Sequence, residues 1–378
     1  MEFAKRMLKL KESETFKYAT IAKNKEVIDL TIGRTNFDVP KKIKDAAKVA
    51  IDSGKNKYTN SKGISELREK IAEKLRNENK ISVSSENVIV STGAKQIIFE
   101  AVMALIDNND VVAIPDPSWV SYEQIVNFSN GRVIHPPLKF ENKFIPDEEF
   151  LSYLENEKFK MLILNSPNNP TGAVYSEKVI KKIVDIAERK NAWLLSDEIY
   201  EKIIYEGKHF SPGSMYEKCI TVNGFSKEAS VTGWRIGYGV CKIKEVIDKM
   251  NIIQQQTVSC APSVFQYAAL EAFKNEVREE FKEQVNELKE RRNFLFNKLK
   301  KFSKVAKPDG AFYIFPNFGI DDIALTEKLL VNGICVVPGS SFGSNGKKCL
   351  RISYGAVTMR ELQKAVEIFE RVINENDN

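Results

Sequence analysis

Short apolar runs alternate with longer amphipathic segments between about residues 85 and 240, and this alternation constrains the fold more than any other feature. Between the runs, residues 95–106 and 177–189 carry apolar side chains at helical spacing. The alternation predicts an α/β fold, in which helices cover a mostly parallel sheet. The predicted buried strands are Val88-Ile89-Val90, Val111-Val112-Ala113-Ile114, Met161-Leu162-Ile163-Leu164, Trp193-Leu194-Leu195 and Ile220-Thr221-Val222.

The C-terminal part of the chain has a different pattern, and 378 residues exceed the usual size of a single core. Residues 263–301 are highly charged with apolar residues at helical spacing, which predicts one or two long helices. Three predicted strands and an amphipathic helix follow, so we expect a smaller α+β domain. These elements are residues 311–315, 334–338, 350–354 and 359–373. The predicted organisation is an N-terminal arm with part of the small domain in 1–45, a large cofactor-binding domain in 46–275 and the small domain in 276–378.

Composition and charge exclude several classes of protein. The chain has 43% hydrophobic and 29% charged residues, and no apolar run approaches the roughly 20 residues that span a bilayer, so no membrane partner is expected. A net charge of +6, spread without a polybasic block, argues against a nucleic-acid partner. The charged residues near the N-terminus predict no signal peptide, so we expect a cytoplasmic protein.

Cysteine and histidine offer little for catalysis or metal binding. The five cysteines include no CxxC pair and are odd in number, so we expect reduced thiols rather than a disulfide framework. The two histidines, His135 and His209, lie in no motif, and neither a histidine-based triad nor a metal site is expected. Lysine, aspartate, tyrosine and arginine must therefore supply the chemistry.

Polar clusters follow five successive predicted strands. Because ligand-handling residues of a parallel sheet lie at the carboxyl ends of its strands, these clusters are candidates for one site. They are Ser91-Thr92-Gly93, Asp116-Pro117-Ser118-Trp119, residues 165–172, Ser196-Asp197-Glu198 and residues 223–227.

Lys227 lies eight residues before Arg235, in the last of these clusters. A lysine amine can condense with an aldehyde cofactor while a fixed guanidinium holds the phosphate of that cofactor. Donors to the same phosphate are predicted at Gly93-Ala94-Lys95, which opens a helix directly after a strand, where backbone N–H groups favour a negative charge. Together these features suggest pyridoxal phosphate chemistry.

Five strings, in this order, resemble class I, fold type I aminotransferases that depend on pyridoxal phosphate, in particular the prokaryote-type aspartate aminotransferases. The resemblance covers essentially the whole chain. It implies the fold type I architecture, a large sheet domain with a smaller α+β domain, and transamination between an L-amino acid and a 2-oxo acid by a ping-pong mechanism. The strings are Leu30-Thr31-Ile32-Gly33, Ser166-Pro167-Asn168-Asn169-Pro170-Thr171-Gly172, Ser196-Asp197-Glu198-Ile199-Tyr200, residues 227–238 and Leu350-Arg351-Ile352-Ser353-Tyr354.

The resemblance implies roles around the cofactor ring. Lys227 would bind the cofactor covalently and move the substrate's α proton, while Asp197 would keep the pyridine nitrogen protonated. Tyr200 and Asn169 would reach the phenolic oxygen, and Trp119 would stack on the ring. The alternatives are a helix cap for Asp197, an Asn-Pro turn for Asn169 and core packing for Trp119.

The resemblance also implies a phosphate site shared between two subunits of a homodimer. Arg235 and the loop of Gly93, Ala94 and Lys95 would hold the phosphate, and Tyr58 would reach it from the other subunit. Many relatives carry a hydroxyl residue three positions before the lysine, but this chain has Gly224 there, and Ser226 is the candidate substitute. Cis peptide bonds are implied in the stretch that contains Pro167 and Pro170.

Substrate recognition is implied at two ends of an amino acid. Arg351 would bind the α-carboxylate as a bidentate ligand under Gly33, with Trp119 and Asn169 lining the pocket. Lys95, with Ser13 and Thr15, would hold a distal carboxylate. This set favours aspartate and glutamate as donors and oxaloacetate and 2-oxoglutarate as acceptors.

Alternatives to this substrate assignment remain open. Lys95 can be an ordinary helix-start lysine, and Ser13-Glu14-Thr15 can be a helix cap. Similar motifs serve aminotransferases for aromatic amino acids, prephenate or alanine, and a lyase or synthase with the same cofactor and fold would keep Lys227. A transcription regulator with an aminotransferase-like domain is not expected, because about 30 residues precede Thr31-Ile32-Gly33.

Overall fold

The computed structural model describes residues 3–375. The helices are α1 (Glu14–Lys23), α2 (Lys41–Asp52), α3 (Ser65–Lys74), α4 (Ala94–Leu105), α5 (Ser121–Phe128), α6 (Glu148–Asn156), α7 (Glu177–Arg189), α8 (Phe225–Glu228), α9 (Lys244–Thr257), α10 (Ser263–Ala269), α11 (Asn275–Leu299), α12 (Asp322–Val331) and α13 (Met359–Asn374). The strands are β1 (Ile28–Asp29), β2 (Val88–Ser91), β3 (Val111–Ala113), β4 (Arg132–Ile134), β5 (Met161–Asn165), β6 (Trp193–Asp197), β7 (Cys219–Gly224), β8 (Gly237–Cys241), β9 (Tyr313–Ile314), β10 (Ile334–Cys335), β11 (Val337–Pro338) and β12 (Leu350–Ser353).

A seven-stranded sheet forms the centre of the molecule, in the order β2-β8-β7-β6-β5-β3-β4. The five strands from β7 to β4 run parallel, whereas β8 is antiparallel to both β2 and β7. All five predicted strands of this region are confirmed. Strands β4 and β8 are not among the predicted strands. In β8, Gly237 and Gly239 weaken the strand pattern, because glycine has no side chain to pack.

Both faces of the sheet are covered, as a parallel sheet requires. Val88 and Val90 of β2 belong to a core cluster with residues of α2 and α3. Ile89, between them, belongs to a different cluster with residues of α4 and α9. Successive side chains of a strand point to opposite faces, so one strand contributes to two cores. The predicted helices at residues 95–106 and 177–189 are confirmed as α4 and α7.

The C-terminal strands form a second, smaller assembly. The sheet β11-β12-β9 is antiparallel, and β1 pairs in parallel with β10, which joins residues near position 28 to the C-terminal part of the chain. The helices α11 and α13 pack on these strands in a common apolar cluster. The predicted helix at 359–373 is confirmed as α13, whose first turn is held by a capping box between Thr358 and Glu361.

Among residues 3–375, none of the helices combines the length and the apolar character that crossing a bilayer requires.

Candidate active site

The carboxyl ends of β5, β6 and β7 bring the central candidates together. Asp197 is the last residue of β6, and Lys227 lies on α8, directly after β7. Asn165, at the end of β5, donates a hydrogen bond from its amide to the Asp197 carbonyl at 2.9 Å. The peptide bonds before Pro167 and Pro170 are cis, as predicted. The parallel sheet therefore positions this part of the site as the sequence predicted.

The Lys227 amine lies in a half-buried, largely aromatic environment. It donates a hydrogen bond to the Gly33 carbonyl and lies 5.8 Å from the ring centroid of Tyr200 and 5.9 Å from that of Phe312. Burial, followed by the nearby positive charge of Arg235, lowers the pKa of Lys227 to about 8. Near neutral pH an appreciable fraction of this amine is uncharged, which is the form that attacks an aldehyde.

The Asp197 carboxylate is buried, and burial raises its pKa to about 6. Two hydrogen bonds oppose that shift: the Tyr122 hydroxyl donates to Oδ2 at 2.7 Å, and the Ile199 backbone N–H donates to Oδ1 at 3.3 Å. Because this pKa lies just below neutrality, the carboxylate is mostly ionised at pH 7.

A pair of tyrosines lies beside the lysine. The hydroxyls of Tyr200 and Tyr313 hydrogen-bond to each other at 2.8 Å. Tyr313 also explains why position 33 is glycine, because a Cβ added to Gly33 would lie 2.6 Å from the Tyr313 hydroxyl oxygen. Tyr313 lies in the predicted strand at 311–315, and no role is predicted for it. The only signal was an aromatic residue in that strand, which is also typical of core packing.

Arg351, on β12, is buried beneath this pair. Its guanidinium lies 4.8 Å from the Tyr313 ring centroid and 4.9 Å from that of Phe342. It donates to Asn169 Oδ1 at 3.2 Å and to the Thr31 carbonyl, while its Nε has no hydrogen-bond partner among residues 3–375. A buried guanidinium with an unused N–H can accept an anionic ligand such as a carboxylate.

Gly93 and Arg235 form a cradle at the N-terminus of α4. Gly93 has a φ of +95°, and a Cβ there would lie 2.5 Å from Nη2 of Arg235, so only glycine lets the guanidinium approach. Arg235 donates to the Thr232 carbonyl at 2.8 Å and to the Thr92 carbonyl at 3.3 Å. The helix N-terminus of Ala94 and the fixed positive charge together favour a phosphate.

Gly224 has a structural reason for departing from the family pattern. A Cβ at this position would lie 2.9 Å from the Cα of Gly237 and 3.0 Å from the Ile236 carbonyl. A hydroxyl side chain therefore does not fit unless β7 and β8 move apart. Ser226 is buried next to Lys227.

Lys95 is exposed at the start of α4 and faces two aromatic rings. Its amine lies 4.8 Å from the Trp119 ring centroid and 5.6 Å from that of Phe16, a residue of α1 that the sequence analysis did not select. Ser13, which precedes α1, makes no side-chain capping hydrogen bond. The buried Thr15 hydroxyl lacks a partner within the described chain. By position, however, Ser13 is the N-cap residue of α1, as the helix-cap alternative predicts.

Tyr58 is 89% exposed in this single chain. Its assignment to the phosphate of a partner subunit stays a prediction.

Comparison with known proteins decides the family. The family profile described as "Aminotransferase class I and II" matches residues 25–369. The chain belongs to the class I and II aminotransferases. It is 41% identical over 367 residues to a probable aspartate aminotransferase of Methanocaldococcus jannaschii, covering 95% of this chain and 96% of the relative. It is also 41% identical to an aspartate/prephenate aminotransferase of Thermus thermophilus, covering 92% of this chain and 91% of the relative.

A solved structure shares the fold of this aminotransferase. The aspartate aminotransferase of Thermus thermophilus with maleate matches with a TM-score of 0.94 and 38% identity, covering 98% of this chain and 100% of that one. The predicted fold type I architecture, with its large sheet domain and smaller α+β part, is thereby confirmed.

Pyridoxal phosphate is the cofactor of class I aminotransferases, and the residues present in this chain fit it. Lys227 offers a partly neutral amine, and Asp197 offers a buried carboxylate at the end of the neighbouring strand. The cradle at Gly93 and Arg235, which a Cβ would fill, suits its phosphate.

The Lys227 pKa predicts how the cofactor-free aminotransferase captures pyridoxal phosphate. Below pH 8 the amine is mostly protonated, so the capture rate should rise roughly tenfold per pH unit, and it should level off above about pH 8. Stopped-flow absorbance on the cofactor-free protein measures this profile. A rate that keeps rising to pH 10, as for an ordinary lysine of pKa about 10.4, would contradict it.

Proposed function

We propose that this aminotransferase moves the amino group between L-aspartate or L-glutamate and oxaloacetate or 2-oxoglutarate. The observation that carries the proposal is the position of Lys95, whose amine lies 4.8 Å from the Trp119 ring centroid and 5.6 Å from that of Phe16 in α1. A cation at this place suits a second carboxylate. Relatives named aspartate aminotransferase, and a solved relative with maleate, a dicarboxylate, support it.

Bound pyridoxal phosphate supplies a ring that stabilises negative charge at the α carbon of the substrate. In the proposal, Lys227 attaches the cofactor and then, as a free amine, moves the α proton, which its lowered pKa favours. Asp197 would keep the ring nitrogen protonated, Tyr200 and Asn169 would donate to the phenolic oxygen, and Trp119 would stack on the ring.

The substrate's α-carboxylate binds to Arg351 in this proposal. The guanidinium is fixed by Asn169 and Thr31, and its Nε–H, which has no partner among residues 3–375, is a donor available to the ligand. Gly33, whose carbonyl accepts the Lys227 hydrogen bond, closes over the same group. Because the guanidinium is already positioned, little ordering is needed when the substrate binds.

The two aromatic rings beside Lys95 favour a second substrate class. Phe16 and Trp119 offer apolar contacts to an aromatic side chain or to prephenate, which is both cyclic and a dicarboxylate. The name of the Thermus thermophilus relative, aspartate/prephenate aminotransferase, supports this candidate. A panel of donors and acceptors with the purified holoenzyme separates the two substrate classes, and turnover that does not depend on an acceptor would indicate a lyase.

Lys95→Ala tests the acidic substrates. Loss of a charge-assisted contact should raise the Michaelis constant for aspartate by roughly 10- to 100-fold, while that for phenylalanine changes little. The control is Lys17→Ala, which removes an α1 lysine whose partner is the half-buried Glu14. Steady-state kinetics with both donors give the result, and an equal change for aspartate and phenylalanine would remove the substrate argument.

We also propose a cytoplasmic homodimer in which Tyr58 completes the phosphate site of the partner subunit. All five cysteines are free thiols, which suits a reducing compartment. The phosphate region of one chain has Arg235 and a helix N-terminus, and the exposed Tyr58 hydroxyl is available to a second copy.

Mixing two damaged variants tests the shared site. Lys227→Ala and Tyr58→Ala homodimers should each have low activity. A heterodimer should regain activity, because one of its two sites combines an intact Lys227 with an intact Tyr58 from the other chain. Activity is measured after the subunits are exchanged. If Tyr58 serves its own chain, mixing gives no gain over the Tyr58→Ala enzyme.

A further inference from the structure

Tyr122, on α5, connects two residues of the site. It is 1% exposed, and its hydroxyl donates to Oδ2 of Asp197 at 2.7 Å. Its ring meets the Trp119 ring edge to face, with 5.2 Å between the centroids and an interplanar angle of 85°. The other donor to the Asp197 carboxylate within the described chain is the Ile199 N–H, which contacts Oδ1.

We propose that Tyr122 is a positioning residue, which holds the Asp197 carboxylate ionised and oriented toward the ring nitrogen of the cofactor and props Trp119 against the same ring. The inference rests on the proposed role of Asp197. Its physical basis is the burial of the carboxylate, because a buried anion with few donors tends to take up a proton.

The groups that face Asp197 act in opposite directions. Burial has the largest effect and raises the pKa of the carboxyl. The hydrogen bonds from Tyr122 and the Ile199 N–H and the charge of Lys227 lower this pKa, and the neighbouring Glu198 raises it. The Tyr200 phenol also lies near Asp197, and the charge of Asp197 contributes to the raised pKa of Tyr200. Burial and the Asp197 charge raise the pKa of Tyr122 well above its ordinary value, so Tyr122 stays a donor. When the Tyr122 hydroxyl is removed, the pKa of the Asp197 carboxyl should rise, so that Asp197 becomes neutral at a higher pH.

Tyr122→Phe tests this inference through cofactor binding. Cofactor-free protein is titrated with pyridoxal phosphate and, separately, with the analogue in which carbon replaces the ring nitrogen. Quenching of the intrinsic protein fluorescence reports binding of each ligand. The unaltered protein should prefer pyridoxal phosphate, because only that ring offers a protonated nitrogen to Asp197. Tyr122→Phe should reduce the preference for pyridoxal phosphate roughly tenfold and leave the affinity for the analogue unchanged. In this variant the affinity for pyridoxal phosphate should also begin to fall at a higher pH as the solution is acidified.

A matched control exists in the same core. Tyr175 is also buried, and its hydroxyl has no partner among residues 3–375, so Tyr175→Phe should leave both affinities unchanged. Tyr122→His, which keeps a donor on a ring, should restore part of the preference and serves as the second variant if Tyr122→Phe does not fold. An equal loss of affinity for both ligands in Tyr122→Phe would show a merely structural role and overturn the inference. An unaltered protein that binds both ligands equally would instead overturn the proposed role of Asp197.

Discussion

Lys227→Ala abolishes transamination, and we expect the turnover number to fall by roughly 10⁴-fold or more. The variant loses both the amine that attaches the cofactor and the base that moves the α proton. Lys95, whose positive charge also acts on Lys227, lies at the start of α4 beside the Trp119 ring and is not expected to replace it.

The measurement separates attachment from turnover. Reduction with sodium borohydride followed by mass spectrometry should fix the cofactor to Lys227 in the unaltered enzyme and leave it removable in Lys227→Ala. The control is Lys181→Ala, which removes a surface lysine paired with Glu177 on α7 and should change neither quantity. Turnover in Lys227→Ala above about one hundredth of the normal value would reject the assignment, because a single general base accounts for 10²-fold or more.

Much of the site could be predicted because a parallel sheet collects residues at one edge. Asn165 and Asp197 end β5 and β6, and Lys227 follows β7, so strand order along the chain was enough to bring them together. The same logic predicted the loop of Gly93. Local pattern and global fold agree here, which makes sequence reasoning reliable.

Residues that reach the site from other elements could not be predicted in this way. Tyr313 lies 113 residues from Tyr200 in the chain, and Tyr122 acts from α5, 75 residues before Asp197. Neither residue belongs to a spacing pattern that distinguishes a hydroxyl used at a site from an aromatic ring in a core. Only the packing of the small sheet and of α5 against the strand ends brings these hydroxyls to their partners.

Glycine was a second limit of the sequence analysis. Residues 237–241 form an inner strand of the sheet, although glycines weaken their strand pattern. Position 237 requires glycine, because its backbone passes the start of α4 so closely that a Cβ would lie 2.3 Å from the Ala94 nitrogen. A different approach, between the backbones of β7 and β8, excludes a side chain at Gly224. Such contacts between distant backbones are invisible in one sequence. The pKa values of Lys227 and Asp197 could not be predicted from the sequence either, because burial in the folded chain causes both shifts.

Arg351→Lys should impair every amino donor alike. Lysine keeps the charge but loses the planar fork that binds both carboxylate oxygens, and its shorter hydrogen-bonding reach leaves Asn169 and the Thr31 carbonyl without their donor. We expect kcat/KM to fall by roughly 100- to 1,000-fold for aspartate, glutamate and phenylalanine. This uniform loss differs from Lys95→Ala, whose effect should depend on the side chain of the donor.

The matched control for this variant is Arg360→Lys, because Arg360 is an exposed arginine on α13 and the same exchange there should leave kcat/KM unchanged. Steady-state kinetics with the three donors measure the effect. A loss confined to aspartate and glutamate would mean that Arg351 binds the distal carboxylate instead, and the assignments of Arg351 and Lys95 would then have to be exchanged. A uniform loss fixes the direction in which the substrate lies, because the α-carboxylate is the one anionic group that all three donors share.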